Sequence, residues 1–469
     1  MTHVDLIVIG AGAAGLSVAS GAAQMGARVV LIEAGEMGGD CLNHGCVPSK
    51  ALIAAAATAQ VMRDAGRFGI APVVPQVDFA AVMDHVADVI AGIAPHDSQE
   101  RFEGLGVRVI RGWARFTGPQ SVEVNGETLH ARRIVIATGS RPFVPPVPGL
   151  ADAGYLANET IFSLRTCPSH LLVLGGGPIG VELAQAFRRL GAEVTLIQSG
   201  SILAREDPEA VEVVRTALIG DGVTLREGVH VDEAGRDGDR VWLRIGADRI
   251  EGSHLLVATG RRAATDGLGL DAAGITGDGK CIVTDRRLRT ANRRVFAVGD
   301  IVAGAPSFTH VAGYHAGVVI RQTMLGLPAR ADHTKIPRVT YVAPELAHIG
   351  LTEDEARKAH GDVRVIRQPY ADIDRARTDR AEAGFLKLVL HRGRPVGVTI
   401  VGKEAGELIA PWVVALASRT RLSVLSGLVL PYPTLSDLGK RAAGAYFSDK
   451  LFGNPWVERA VRLIQRVLP

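Results

Sequence analysis

The sequence predicts an α/β protein in which one strand–glycine turn–helix–strand unit is built twice, closed by an α+β segment. Three observations lead there. Apolar runs at Val4–Ile9 and Leu171–Leu174 each pass straight into a G-x-G-x-x-G turn. Each turn opens a helix pattern and then a second apolar strand. From about His333 the glycine turns stop, and short strands alternate with helices.

The first unit is complete. Strand Val4–Ile9 leads into Gly10-Ala11-Gly12-Ala13-Ala14-Gly15, a small-residue helix to about Met25, and strand Ala27–Ile32 ending at Glu33, 18 residues past Gly15. Gly10 permits the tight turn, Gly12 admits a pyrophosphate to backbone N–H groups, and Gly15 lets helix and strand approach. Glu33 is placed to accept hydrogen bonds from a ribose hydroxyl. A lone glycine fingerprint says little, but strand, helix and acid together specify a dinucleotide site.

Gly38-Gly39-Asp40-Cys41-Leu42-Asn43-His44-Gly45-Cys46-Val47-Pro48-Ser49-Lys50 follows within a few residues. Two of the chain's four cysteines stand here, in a C-x4-C spacing. A regular helix would turn them apart, so a bridge needs a distorted turn, which Gly45 and Pro48 can supply. So short a loop gains little stability from closure, which suits a bridge that opens and closes. On spacing alone the pair reads equally as two small buried hydrophobes. Its position beside the first dinucleotide site favours redox chemistry. Lys50 is expected to begin a helix to about Gln60, where a solvated lysine is the ordinary reading. A helical excursion follows around Val82, Val86, Val89 and Ile90. Strands Ser121–Val124 and Arg133–Ile136 then lead into Ala137-Thr138-Gly139-Ser140-Arg141-Pro142.

The second unit repeats the first. Strand Leu171–Leu174 meets Gly175-Gly176-Gly177-Pro178-Ile179-Gly180, then a helix Val181–Leu190 and a strand Glu193–Ile197. Leu255 to Arg261 echoes Val135 to Arg141. Two such units imply two dinucleotides, a flavin beside the cysteines and a nicotinamide hydride donor in the other. The second strand ends at Gln198, before Ser199-Gly200-Ser201, with Arg205 the first nearby base. Neither the acid that favours NADH nor the arginine that favours NADPH is present, so both remain open. A third segment, Arg294 to Gly299-Asp300, is a buried strand ending in a carboxylate that can accept from polyol hydroxyls; Gly-Asp is also ordinary turn chemistry. A helix is expected from Pro306 to Ile320.

The closing region offers strands Arg338–Tyr341, Phe385–Leu390 and Val396–Val401, with helices Thr352–Ala359 and Glu404–Arg419. Leu430 to Asp437 precedes a helix through Phe447. The tail Val457–Leu468 is amphipathic, carries Arg459, Arg462 and Arg466, and is expected to pack on its own protein rather than on a membrane.

Composition narrows the classes. The chain has 469 residues, 47% of them hydrophobic and 22% charged, enough for about three globular domains. A net charge of +3 is too small to imply a nucleic acid partner. Four cysteines in this length are no secreted disulfide framework, no apolar run is long enough to span a membrane, and a cytoplasmic location is expected. No metal centre is expected, and Cys167 and Cys281 read as buried structural residues.

Taken together, GAGAAG, GGDCLNHGCVPSK, GGGPIG with VELAQAF, and AVGD resemble the flavin- and pyridine-nucleotide-dependent disulfide oxidoreductases from Asp5 to about Phe447. The resemblance implies two Rossmann-like domains and a C-terminal α+β dimerisation domain. The expected boundaries are 1–148 and 266–332 for FAD, 149–265 for NAD(P), and 333–469 for dimerisation. Cys46 would be the thiolate beside the flavin and Cys41 the interchange thiol, the two closing a redox disulfide. Lys50 would pair with Glu182 near the flavin, and Asp300 would hold the ribityl chain. FAD would contact Gly10, Gly12, Gly15, Glu33, Gly39, Lys50, Thr138, Gly139, Gly299 and Asp300. NADPH or NADH would contact Gly175, Gly177, Gly180, Gln198 and Gly260. Electrons would pass from nicotinamide through flavin to the cysteine pair. The partner would be a second copy, with a small-molecule or metal-ion acceptor.

One departure is informative. Where these enzymes carry His-Pro-Thr-x-x-Glu, this chain reads Tyr432-Pro433-Thr434-Leu435-Ser436-Asp437. A phenol of pKa near ~10 is a poor base at neutral pH. Mercuric reductases share the tyrosine, and the segments Ala204 to Pro208, Gly384 to Val389 and Glu404 to Ile409 look like theirs too. A mercuric-reductase-like activity is therefore expected, although the C-terminal cysteine pair and the N-terminal metal-carrier domain of that branch are not found. A dihydrolipoamide dehydrogenase with an altered acid–base residue, or a slow redox-sensing flavoprotein, are the alternatives. His44, between the cysteines, is a candidate local proton donor or thiolate partner; a solvated loop histidine is the plain alternative.

Overall fold

The computed structural model describes residues 2–275, 281–452 and 454–468. They form two compact units, residues 1–201 with 222–333, and residues 202–221 with 334–469.

The first unit holds both expected sheets. In the larger, β1 (Thr2–Ile9) lies parallel between β2 (Val29–Glu33) and β6 (Glu127–Ile136). β3 (Arg108–Arg111) extends it beyond β2, and strand Val295–Ala297 joins β6. β4 (Arg115–Gly118) and β5 (Ser121–Val124) form an antiparallel flap on the first half of β6. Leu6, Ile7, Val8 and Leu31 are fully buried. Their run is apolar without alternation because a parallel sheet is covered on both faces. The second sheet orders Thr224–Glu227, Glu193–Gln198, His170–Leu174 and His254–Val257, all parallel. A three-stranded antiparallel sheet, Glu233–Asp237, Arg240–Ile245 and Asp248–Gly252, is an addition the sequence reading did not contain.

The second unit is a five-stranded antiparallel sheet, ordered Arg338–Thr340, Glu345–Gly350, Arg394–Gly402, Phe385–His391, Arg364–Pro369. Glu345–Gly350 went unrecognised because its interior is buried on both faces, including His348, and so shows no alternation. His348 is satisfied there by Thr399 Oγ1 at 2.8 Å and the Gly350 carbonyl at 2.9 Å. Burial pushes its pKa down to about 4, which keeps it neutral.

Three expectations are corrected. The helix expected from Lys50 begins at Cys46 and runs to Asp64. The helix Glu404–Arg419 is broken into Ala405–Leu408 and Ala410–Ser418, with Pro411 opening the second piece. Helix Pro208–Gly220, which the sequence reading did not name, groups with the closing segment. Its N-cap Asp207 accepts two 2.9 Å hydrogen bonds from buried Lys387, and Glu206 accepts one from Arg338. Finally, the tail helix Pro455–Val467 forms, but none of its residues is buried. Among the described residues, no helix is long and apolar enough to cross a membrane.

Candidate active site

The redox stretch is two helices with a break. α2 (Gly39–Asn43) carries Cys41, and α3 (Cys46–Asp64) begins at Cys46. His44 and Gly45 leave the helical path between them. A Cβ on Gly45 would lie 2.9 Å from the Asp40 carbonyl oxygen and 3.2 Å from Cys41 Cα, so only glycine lets the chain fold back here. Pro48 sits in the first turn of α3, where its missing N–H is not needed. This is the distortion that brings sulfurs five residues apart to one place.

Both cysteines are thiols, and the hydroxyl of Thr309 lies between them. Its Oγ1 is 3.1 Å from Cys41 Sγ and 3.4 Å from Cys46 Sγ, so its proton can be donated to either sulfur. The two thiols are driven in opposite directions. The hydrogen bond from Cys41 lowers Cys46 to about 6, helped by Thr309 and the Lys50 charge against burial and Asp40. The same hydrogen bond, together with burial, pushes Cys41 well up. Cys46 also stands at the N-terminus of a 19-residue helix, where the macrodipole favours an anion. Lys50 is one turn further along the same face.

Lys50 Nζ donates to Glu182 Oε2 at 2.8 Å. Glu182 is only 5% exposed, and it lies on helix Pro178–Arg189 of the second glycine unit. One ion pair thus joins the two halves of the expected electron path.

The glycine cradles fit dinucleotides. A Cβ on Gly10 would sit 2.4 Å from the Ala137 carbonyl oxygen, and one on Gly15 1.8 Å from the Gly10 oxygen. A Cβ on Gly177 would meet open space and one on Gly12 only Gly39 Cα, at 3.9 Å, which leaves the room that a phosphate approach needs. The helices they open, α1 (Ala13–Gln24) and Pro178–Arg189, are capped by no side chain among the described residues. Their first N–H groups are left for an anion. Helices Phe79–Ile93, Pro208–Gly220 and Glu353–His360, by contrast, have side-chain caps: Asp78, Asp207 and Thr352 accept from the turn that follows. Gly39 packs on this turn, since its Cβ would lie 2.7 Å from Gly12 Cα.

Glu33 accepts hydrogen bonds from the N–H groups of Ala11 and Gly35. Gln198 accepts from Gly176 N–H at 2.7 Å. Thr138 donates to the Ala264 carbonyl at 2.8 Å, and Gly139 and Gly260 both have positive φ, at 67° and 143°. Gly299 donates its N–H to buried His315 at 3.1 Å.

Five residues escaped the sequence reading: Ser140, Arg261, Thr309, Asp40 and Asn158. Asp300 accepts a 2.6 Å hydrogen bond from Ser140, and Ser140 accepts one of 2.7 Å from Arg261 Nε. Arg261 is 3.2 Å from Asp40, which also accepts from Asn158 at 2.8 Å. Asn158 donates as well to the His44 carbonyl at 3.1 Å. This chain of polar contacts ties the Gly-Asp carboxylate to the residue preceding Cys41. Arg261 and Ser140 were visible as ends of echoed motifs; Thr309, Asp40 and Asn158 gave no local signal of their role.

His44 has its ring 3.8 Å from Glu36. In the second unit, exposed Tyr432 donates its hydroxyl proton to Asp374 at 2.9 Å, and that carboxylate pushes the phenol further up. Asp437 accepts from Arg441 at 2.6 Å. Cys167 is half-buried and its thiol is raised by burial; Cys281 is half-buried against the first unit's core.

Two family profiles match the chain: Pyridine nucleotide-disulphide oxidoreductase over residues 4–316, and the dimerisation domain of the same family over 336–443. The mercuric reductase of Lysinibacillus sphaericus is 36% identical over 95% of this chain and 83% of its own length. The dihydrolipoyl dehydrogenase of Thermus scotoductus is 38% identical over 95% of this chain and 98% of its own. Among solved structures, the Cu(II) complex of the HOCl-induced flavoprotein disulfide reductase RclA from Escherichia coli superposes with a TM-score of 0.86 at 27% identity, covering 95% of this chain and all of that one. LpdA from Mycobacterium tuberculosis superposes with a TM-score of 0.87 at 27% identity, over 94% and 100%. With uncapped glycine cradles, a polarised thiol pair and these matches, the chain belongs to the pyridine nucleotide-disulphide oxidoreductases, which use FAD and NAD(P)H and pair through a dimerisation domain.

Proposed function

We propose that this protein is a cytoplasmic NAD(P)H-dependent reductase whose Cys41–Cys46 pair delivers electrons to a soft electrophilic acceptor, in the manner of mercuric reductase. The observation that carries this reading is the unequal thiol pair. Cys46 is held toward the thiolate, while Cys41 keeps its proton.

When bound at the first cradle, the flavin supplies the two-electron link between a nicotinamide and the cysteine pair. The remaining work falls to the chain. Lys50 keeps positive charge beside Cys46, and Glu182 holds Lys50 in place. Thr309 steadies whichever sulfur carries the negative charge. Asp40 is anchored by Arg261 and Asn158, which fixes the helix that presents Cys41.

An organic disulfide needs a base to free the Cys41 proton and an acid to protonate the departing thiolate. Tyr432, with its pKa raised by Asp374, serves poorly as that base. A soft cation displaces the proton itself, because metal binding releases protons from thiols. The resemblance to mercuric reductases and to a reductase solved with Cu(II) supports this acceptor class. Tyr432 and Asp437 would then act from the partner subunit's copy as ligand-side groups, not as an acid–base pair.

Lipoamide turnover is the second reading, favoured by the 38% identity to a dihydrolipoyl dehydrogenase. The test is oxidation of NADH and of NADPH with Hg(II) plus excess small thiol, with lipoamide, and with glutathione disulfide, each repeated with Cys41→Ser. Hg(II)-dependent oxidation that requires Cys41 supports the proposal. Fast lipoamide turnover overturns it in favour of the second reading.

A further inference from the structure

The tail helix Pro455–Val467 starts 12 residues after the family's dimerisation match ends at residue 443. Its sequence separates cleanly around the helix axis. At ~100° per residue, Leu463, Trp456, Val467, Ala460, Ile464, Val457 and Val461 fill a continuous apolar arc of roughly 160°. Arg459, Arg462 and Arg466 lie on the other side with Gln465 and Glu458. None of the helix is buried: Trp456 is 76% exposed, Leu463 63% and Val467 77%. Phe452, just ahead of it, is 76% exposed. Asn454 caps the helix through Trp456 N–H, so the element is built by its own sequence and does not need a docking surface to define its start.

Charge separates the possible occupants of this face. Three arginines and one glutamate give the helix a net charge of +2, and the glutamate is 3.5 Å from Arg462. Two copies laid side by side would repel, whereas a layer of phosphate headgroups would attract. The width of the apolar arc argues the same way, since a two-helix seam uses a narrower stripe. At about 20 Å the helix is too short to cross a bilayer core of about 30 Å, but it can lie along the surface with its apolar side down and its arginines among the phosphates. We propose that Pro455–Val467 is a surface anchor that seats the enzyme on an anionic lipid bilayer. The reading is independent of the electron acceptor.

The test is flotation of the full-length, flavin-loaded protein with vesicles of phosphatidylglycerol mixed with phosphatidylcholine, and with vesicles of phosphatidylcholine alone. Wild type is expected to float with the anionic vesicles, and added salt to release it. Each Arg→Gln change at 459, 462 or 466 should weaken that binding about fivefold. Leu463→Asp with Ile464→Asp should abolish it while leaving flavin absorbance and nicotinamide oxidation unchanged, which shows that the variant is folded. The proposal is overturned if wild type does not float, or if the double variant floats equally. It is also overturned if, without lipid, the double variant sediments as a smaller assembly than wild type, for the face would then be a contact between copies of this chain.

Discussion

The two glycine units are near copies in backbone and differ in what is attached to them. Gly10 and Gly175 take φ of 103° and 117°, and a Cβ on either would sit 2.4 Å from the carbonyl oxygen of the residue just past the end of the neighbouring strand, Ala137 or Ala258. A Cβ on Gly15 or Gly180 would lie within 2 Å of the turn's first carbonyl oxygen, at 1.8 and 1.9 Å. Even the bond that spans the turn is repeated, Ala11 to Glu33 and Gly176 to Gln198, across 22 residues in both. What separates them is the end of the second strand. In the first unit a carboxylate stands there and the redox helices follow. In the second a neutral amide stands there and Glu182 reaches back to Lys50. A common cradle positions a pyrophosphate; the appended residues decide which dinucleotide comes and what its reactive end meets.

The largest effects should follow from filling the cradles one at a time. Gly15→Ala forces a methyl into the Gly10 carbonyl, and the purified protein should lack flavin absorbance. Gly180→Ala should keep its flavin yet lose reduction by nicotinamide. Equal loss of flavin in both would break the comparison. Lys50→Met comes next, because it leaves the Glu182 carboxylate buried without this cation, at a cost on the order of 2 kcal/mol. Thermal unfolding should reveal that cost, and Glu182→Gln should be milder.

Thr309→Val should act on the sulfurs alone. In the reduced wild type, Cys46 alkylation should fall as the pH drops through about 6, since acid converts its thiolate to thiol. The variant should lose the Thr309 contribution, and its profile should move to higher pH. An unmoved profile would remove Thr309 from the mechanism. Gln198→Glu should tilt the nicotinamide preference toward NADH by about tenfold, as a carboxylate would pair with a free ribose hydroxyl and repel a phosphate. The smallest change is expected from His44→Ala, whose ring faces Glu36; turnover and its pH dependence should stay near wild type.

Much of this was legible in the chain itself. The glycine turns, both apolar first strands and the C-x4-C stretch are patterns of residue type and spacing that can be read along the chain. A glycine is needed wherever a Cβ would strike a carbonyl, so it marks its own position. Side-chain contacts between distant segments leave no such mark. Thr309 reaches Cys41 across 268 residues, and nothing in its surroundings distinguishes it from any threonine that opens a helix. Asn158 meets Asp40 across 118 residues with the same silence. Helix Pro208–Gly220 follows the second cradle in sequence, yet a buried Lys387–Asp207 pair, 180 residues apart, groups it with the closing sheet. The tail helix divides the same way: its amphipathic pattern is written in the sequence, while its exposure depends on whether the rest of the fold offers a partner face. The cradles show in residue type and spacing because only glycine fits where a Cβ would strike a carbonyl, so the sequence alone determined them; thiol polarity and packing are fixed by groups that only the folded chain brings together.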